Sequence, residues 1–259
     1  MMDVQNEPRR GIGTQLPTPP ATEILRCEVG STLHGIGIGS DDVDLMSVAI
    51  EPRRAVTGMG TWEHWTWRTA AEGERSGPGD VDWTVYGLRK YLRLAMQGNP
   101  SVICLLYAPL SFCEYLHPAG AELTTMRDYI VSQKCIPRFL GYLHGQRERA
   151  LNGMGSGRGA REGRSAKWAS HMVRLGFQAN EIITRGVLTL PMPSDQAETC
   201  RRVKRGELPF GEALDLAAAL ESDARAASPV IRREPDVERV EDWVHGVYLR
   251  EWRHREEAA

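Results

Sequence analysis

The segment from residue 30 to residue 45 constrains this chain most, because it joins a glycine-rich turn to two closely spaced carboxylates. It begins with Gly30-Ser31, has alternating glycines from position 35 to position 39, and ends with Asp42-Val43-Asp44-Leu45. Side chains alternate along a β-strand, so Asp42 and Asp44 project from the same face. Two carboxylates held this close repel each other, and a divalent metal relieves that repulsion. The segment therefore predicts a metal site on a strand.

The turn that precedes the carboxylates has the features of a phosphate-binding site. Gly30 and Ser31 offer backbone N–H groups and a hydroxyl that can hold phosphate oxygens. His34 lies in the same turn, where it either binds a phosphate or ribose or stabilises the turn itself. Phosphate binding beside a metal pair indicates phosphoryl or nucleotidyl transfer.

A third carboxylate on a neighbouring strand would complete a two-metal site. Asp80 and Asp82 alternate on a predicted strand over 80–86, so both fall on one face and geometry does not choose between them. Asp82 is the preferred ligand because it lies nearer the middle of the apolar run, whereas Asp80 is typical of a solvated turn. Asp41 points away from Asp42 and receives no ligand role.

A second cluster lies on a predicted helix over 165–178. Lys167, His171 and Arg174 follow the spacing i, i+4, i+7 and share one face, while an apolar face lies beside it. A glycine-rich segment with several arginines, predicted to be a flexible loop over 152–163, enters this helix. The cationic face is either a solvated surface or a triphosphate clamp, and the arginine-rich loop favours the clamp.

Composition limits the other classes of function. The 259 residues carry a formal net charge of -2, so nucleic-acid binding would need a local basic patch. The five cysteines form no CxxC, which disfavours a disulfide framework or a zinc ribbon and fits a reducing cytosol. No apolar run reaches the length of a membrane span, and neither a P-loop nor a dinucleotide fingerprint is present. We expect a cytoplasmic protein without membrane contact.

The predicted elements give an α/β first half and a helical second half. Residues 1–20 are polar and proline-rich and are predicted to be disordered. The tryptophans at positions 62, 65 and 67 indicate either a strand with aromatic packing, which is favoured, or a base-stacking platform. Strands are predicted over 22–29, 43–50 and 80–86, and helices over 88–95, 101–107, 123–133, 137–151, 165–178, 180–186, 195–205, 211–227 and from 236 onward.

Several of these motifs together resemble a known family. Gly30-Ser31, Gly35 and Asp42-Val43-Asp44-Leu45 resemble the Gly-Ser…Gly…Asp-x-Asp signature of nucleotidyltransferases in the DNA polymerase β superfamily. The resemblance extends to the branch found beside RNA ligases and in many phages, through Asp82, residues 88–94, Gly98-Asn99-Pro100, Lys167, His171, Arg174-Leu175, and residues 186–191 and 205–207. It covers residues 22–225. Two positions depart from that pattern: Asp41 stands where the family has serine, and Cys104 stands where an acid is frequent.

The resemblance implies a small mixed β-sheet core with flanking helices, followed by a helical region that closes over the nucleotide. The activity it implies is transfer of a nucleoside monophosphate from an NTP such as ATP, with release of pyrophosphate. This reaction would depend on two bound Mg²⁺ or Mn²⁺ ions. Gly30 and Ser31 would hold the triphosphate, Asp42 and Asp44 would bind both metals, and Asp82 would be the third ligand and help to deprotonate the acceptor hydroxyl. His34, Lys167, His171 and Arg174 complete the predicted nucleotide-binding set.

The expected acceptor is a nucleic-acid 3′ end, with RNA favoured, in the cytosol of a bacterium or a phage-infected host. Two alternatives stay open, namely a protein or small-molecule acceptor and a non-catalytic nucleotide- or RNA-binding module. The expected organisation is a tail over 1–20, a catalytic core over 21–116, a helical nucleotide-closing region over 117–228, and a docking helix over 229–259.

Overall fold

A five-stranded sheet forms the first half of the computed structural model, which describes residues 16–39, 42–71, 73–74, 76–154 and 162–258. The strand order is β3-β4-β2-β1-β5. The strands are β1 (Thr22–Glu28), β2 (Val43–Ile50), β3 (His64–Arg68), β4 (Val81–Gly87) and β5 (Cys113–Leu116). β2 runs parallel to β4, and the other neighbouring pairs are antiparallel. The predicted mixed sheet and α/β fold class are confirmed.

The helices gather mainly in the second half of the chain. They are α1 (Gly30–Leu33), α2 (Arg53–Thr57), α3 (Leu88–Met96), α4 (Pro100–Ile103), α5 (Pro118–Thr125), α6 (Arg127–Ile130), α7 (Cys135–Met154), α8 (Glu162–Arg185), α9 (Ser194–Lys204), α10 (Phe210–Ala226) and α11 (Val237–Ala258). Asn99 caps α4 as its sequence predicts, since its Oδ1 accepts a hydrogen bond from Ser101 N at 2.9 Å. No helix within the described ranges is long and apolar enough to cross a membrane.

The two faces of the sheet have different coverings. One face packs against the helices and forms the main core, which includes Leu25, Val48 and Leu88. The other face carries a smaller cluster around Trp83, and the side chains of Trp62, Trp65 and Trp67 pack on it. The Trp65 and Trp83 rings meet edge to face, with centroids 5.4 Å apart. Trp65 and Trp67 thus lie in a strand with aromatic packing, as the favoured interpretation predicted.

The structure corrects the expectation of two helices over 165–186. α8 is continuous, because Asn180, expected to begin a second helix, donates from its side chain to the carbonyl oxygens of Gly176 at 3.1 Å and Leu220 at 2.7 Å. Its neighbours Ala179 and Ile182 are fully buried, so packing against α10 keeps this turn helical.

Three other segments differ from the prediction. The helix expected over 123–133 is divided into α5 and α6, which meet at Met126. The short edge strand β5 was not predicted. α7 and α8 extend into the predicted loop from both sides, while residues 155–161, residues 1–15 of the predicted tail and Asp41 lie outside the described residues.

α11 contacts the far end of β2. Val240 and Val247 are buried, and the Tyr248 hydroxyl donates a hydrogen bond to the Glu51 carboxylate just after that strand. Burial and the neighbouring carboxylate raise the pKa of Tyr248. The last helix is therefore attached to the sheet at the end away from Asp44, and it leaves the amino-terminal end of β2 open.

Candidate active site

Three carboxylates meet at the amino-terminal ends of β2 and β4. Asp42 immediately precedes β2, Asp44 lies in it, and Asp44 is paired in register with Asp82 on β4. Each residue offers one oxygen, and these oxygens lie within 4.8 Å of one another. Because β2 and β4 are parallel neighbours, the register brings all three side chains to one side of the sheet. Carboxylate oxygens at this spacing form a donor set that suits Mg²⁺ or Mn²⁺.

Asp80 and Asp82 have different surroundings in the structure. The Asp80 carboxylate closes the β3–β4 loop, where it accepts hydrogen bonds from Gly77 N at 2.8 Å and Thr69 Oγ1 at 2.7 Å. These two donors stabilise the charged form and hold the pKa of Asp80 below its usual value. Asp82, by contrast, lines the same cavity as Asp42 and Asp44.

Asp82 has partners on the edge strand β3 and in the β3–β4 loop. Arg68, its register partner on β3, places Nε 3.4 Å from Asp82 Oδ1, and Ser76 Oγ donates to Asp82 Oδ2 at 2.7 Å. Arg68 also donates to Ser76 Oγ at 2.9 Å, so the three side chains form one network. Both oxygens of Asp82 are thereby oriented by neighbours that sequence analysis did not identify.

Gly30 is required by the position of Asp44. Its φ is +64°, and a Cβ at this position would lie 2.0 Å from Asp44 Oδ2. The Asp44 carboxylate thus occupies the volume that any other residue at position 30 would fill. Asp44 O also accepts a hydrogen bond from Val29 N at 2.8 Å, which attaches the glycine turn to β2. The glycine turn and Asp44 are therefore packed directly against each other.

The carboxylates line a cavity of about 320 Å³ whose other side is cationic. α8 contributes the predicted residues Lys167, His171 and Arg174, and α9 contributes Lys204. Gly30, Ser31 and His34 also line the cavity, so the structure brings together every residue of the predicted set. The charge pattern fits a polyphosphate bound between metal ligands and basic side chains.

His34 contacts Arg174 in the wall of the cavity. Arg174 Nη1 lies 3.0 Å from His34 Nε2 and donates to Gln178 Oε1 at 2.8 Å, and the Gln178 amide nitrogen lies 3.1 Å from His34 Nδ1. Both the guanidinium and the amide nitrogen only donate, and an imidazolium ring has no acceptor, so either contact requires a neutral His34 ring, in which one nitrogen accepts. Burial, and then the charge of Arg174, lower the pKa of His34 well below its usual value.

The neutral state of His34 predicts a pH-dependent stability. At a pH below 6.5, the ordinary pKa of histidine, His34 binds a proton in the unfolded chain but not in the folded protein. The free energy of unfolding should therefore fall as the pH decreases from this value toward the folded pKa, by up to about 1.4 kcal/mol per pH unit. Denaturant melts of the wild type and His34→Gln between about pH 7.5 and about pH 5.5 measure this contribution. The free energy of unfolding of His34→Gln should change less with pH than that of the wild type. Equal changes in the two proteins would contradict a neutral His34 in the folded state.

Other residues also line the cavity, without having been indicated by a sequence motif. Thr84 lies two positions after Asp82 and shares its face, so strand alternation alone could have identified it. Lys204 and Ser101 have no such local signal, because helix packing brings them to the site. Arg201, one turn before Lys204, is buried and donates to the Gly35 carbonyl oxygen, which attaches α9 to the glycine turn.

Comparison with known proteins identifies the family of this chain. The model of the RNA repair pathway DNA polymerase beta family matches residues 18–213. The chain belongs to this family. The matched region of this RNA repair pathway polymerase beta family member includes every cavity residue from Val29 to Lys204. The resemblance to nucleotidyltransferases of the DNA polymerase β superfamily that the motifs indicated is confirmed at the level of the family.

Two individual proteins are also similar to this family member. An uncharacterised 38.9 kDa protein from the nrdC-mobD intergenic region of enterobacteria phage T4 is 24% identical over 86 residues, which is 33% of this chain. The match spans 26% of the phage protein's length. The solved structure of a nucleotidyltransferase-like protein from Exiguobacterium sibiricum 255-15 has a TM-score of 0.32 and 11% identity, covering 80% of this chain and 70% of that one.

Proposed function

We propose that this chain transfers a nucleoside monophosphate from an NTP to the 3′ hydroxyl of an RNA, with release of pyrophosphate. The observation that supports this function is the charge distribution of the cavity. Asp42, Asp44 and Asp82 lie on its strand side, and the basic residues of α8 and α9 lie on its helix side. The family's description as an RNA repair pathway family favours RNA over the other acceptors.

The carboxylate set fits divalent metal ions. The three oxygens are hard ligands close enough to share a site, and Gly30 has no side chain to displace Asp44 from it. Asp42 and Asp44 would bind two Mg²⁺ or Mn²⁺ ions, with Asp82 as the third ligand. When bound, such ions polarise the α-phosphate and neutralise the pyrophosphate leaving group.

The protein's own residues bind the substrates and move the proton. Lys167, Arg174 and Lys204 hold the triphosphate oxygens, and Ser31 binds them from the glycine turn. Asp82 accepts the proton of the acceptor hydroxyl as its oxygen attacks the α-phosphorus. A new P–O bond forms, the bond between the α-phosphorus and its bridging oxygen breaks, and the electron pair leaves with pyrophosphate.

Labelled NTPs test the reaction and the acceptor together. The protein is incubated with each α-³²P NTP, Mg²⁺ or Mn²⁺, and one RNA prepared with either a free 3′ hydroxyl or a 3′ phosphate. We expect label only on the RNA with the free hydroxyl, and none with Asp44→Asn. DNA of the same sequence and a mixture of proteins serve as competing acceptors.

Each other outcome contradicts a defined part of the proposal. Label on DNA or protein would keep the chemistry and reject RNA as the acceptor. Label on the 3′-phosphorylated RNA would reject the 3′ hydroxyl as the attacking group. NTP binding without transfer to any acceptor would favour a non-catalytic binding module.

Arg68 should affect turnover more than NTP binding. Arg68→Ala removes one of the two side chains that orient Asp82, and we expect kcat to fall by about 10-fold with little change in the NTP KM. The matched control is Arg93→Ala, since the exposed Arg93 pairs with Glu63 at 2.5 Å outside the cavity. Steady-state kinetics with both variants would contradict this role if they lost turnover equally or if Arg68→Ala mainly raised KM.

A further inference from the structure

Two cysteines face each other at the edge of the sheet. Cys27 on β1 is the register partner of Cys113 on the edge strand β5, and their Sγ atoms lie 2.7 Å apart. Opposed residues of antiparallel strands have Cα atoms about 4.5–5.5 Å apart, within the range of about 4.4–6.8 Å that disulfides span. The strand pairing therefore holds both sulfurs where a bond of about 2.0 Å can form with little movement.

The two thiols are not equivalent. Cys27 is fully buried, whereas Cys113 is partly exposed. The two sulfurs share a hydrogen bond, which lowers the pKa of Cys113 and, with burial, raises that of Cys27. Because the thiolate is the reactive form, Cys113 is the thiol that an oxidant reaches first.

The remaining three cysteines lack this environment. They are all buried, and burial raises the pKa of Cys104 and Cys135 to about 11 and that of Cys200 to about 12. Buried thiols of this kind react slowly with oxidants. The chain thus carries one reactive pair and three inert thiols.

We propose that Cys113 and Cys27 are a thiol–disulfide modification site that responds to peroxides. The Cys113 thiolate attacks one oxygen of hydrogen peroxide, the O–O bond breaks, and Cys113 sulfenic acid forms with release of hydroxide. Cys27 sulfur then attacks Cys113 sulfur, the S–O bond breaks, and its oxygen leaves as water together with the Cys27 proton. Overall, two thiols lose two electrons to form the disulfide, and one peroxide is reduced to two waters.

The cross-link joins residues 86 positions apart and attaches the edge strand to β1. It should stabilise the protein by restricting the unfolded chain, and we expect Tm to rise by about 5–10 °C. Neither sulfur lines the carboxylate cavity, so the inference does not depend on the proposed function.

Thiol mapping tests the proposal in the full chain. The reduced protein is freed of reductant, treated with hydrogen peroxide, quenched with an alkylating agent and digested without reduction. Mass spectrometry should then detect one linked peptide pair, Cys27 with Cys113, and the number of free thiols should fall from five to three. The Tm of the wild type should differ between peroxide and dithiothreitol, whereas that of Cys113→Ser should not.

The variants distinguish the pair from general oxidation. Cys27→Ser should leave a sulfenic acid on Cys113 that dimedone traps, and Cys200→Ser should behave as the wild type. Five free thiols after peroxide treatment, or cross-links to Cys104, Cys135 or Cys200, would overturn the proposal. The mapping uses the wild-type protein, so it remains decisive even where a cysteine variant fails to fold.

Discussion

Asp44→Asn is expected to reduce NTP-dependent label transfer by about 10³-fold or more while the protein stays folded. The substitution removes one of three carboxylates whose oxygens lie within 4.8 Å of one another, and it should thereby remove most of the affinity for the two proposed metal ions. Bound divalent ions contribute several kcal/mol to charge stabilisation in the transition state, which corresponds to this loss of rate. Transfer assays and thermal melts measure the two effects separately.

Asp80→Asn is the matched control for the carboxylate cluster. It changes the same residue type two positions before Asp82, but on a side chain that closes the β3–β4 loop rather than lining the cavity. We expect its transfer activity to stay near that of the wild type and Asp82→Asn to resemble Asp44→Asn. If instead Asp80→Asn lost transfer activity and Asp82→Asn kept it, Asp80 would be the third ligand.

Gly30→Ala is expected to abolish most activity for a steric reason. The new Cβ would lie 2.0 Å from Asp44 Oδ2, so the carboxylate must rotate away from its position beside the other two carboxylates. Since Asp44 then cannot serve as the proposed metal ligand, we expect transfer to fall by about 10²-fold or more. The positive φ adds a backbone cost of about 1–2 kcal/mol to the free energy of unfolding.

Gly206→Ala separates the backbone cost from the steric one. Gly206 has a φ of +75°, and no atom lies within 4 Å of the place that a Cβ would take, so it carries the conformational cost without the clash. Denaturant melts should show similar losses of stability in both variants, whereas only Gly30→Ala should lose activity. Equal activity in the two variants would contradict the steric role of Gly30.

Local patterns predicted much of the sheet and the first side of the site. The alternation of Asp42 and Asp44 and the apolar run after them correctly predicted β2 over 43–50. The spacing of Lys167, His171 and Arg174 placed them on one helix face, and all three line the cavity. Such patterns depend on neighbours within about one or two turns or pleats, so they are readable from the chain alone.

Patterns of that length failed where distant contacts override local preference. The break expected at Asn180 is absent, because Leu220 on α10 accepts a hydrogen bond from its side chain. β5 has only four residues, and its burial does not alternate, so it carries no strand signal.

The glycine turn, the aspartate pair and the cationic helix face were determined by the sequence itself, since each needs only the geometry of one strand, turn or helix. The tertiary structure decided which carboxylate joins that pair, because only the parallel register of β2 and β4 places Asp82 beside Asp44. It also supplied Lys204, Arg68 and the Cys27–Cys113 pair, whose positions follow from helix packing and strand pairing. Contacts between residues far apart in the chain leave no periodic trace in it, so these parts of the site appear only once the chain is folded.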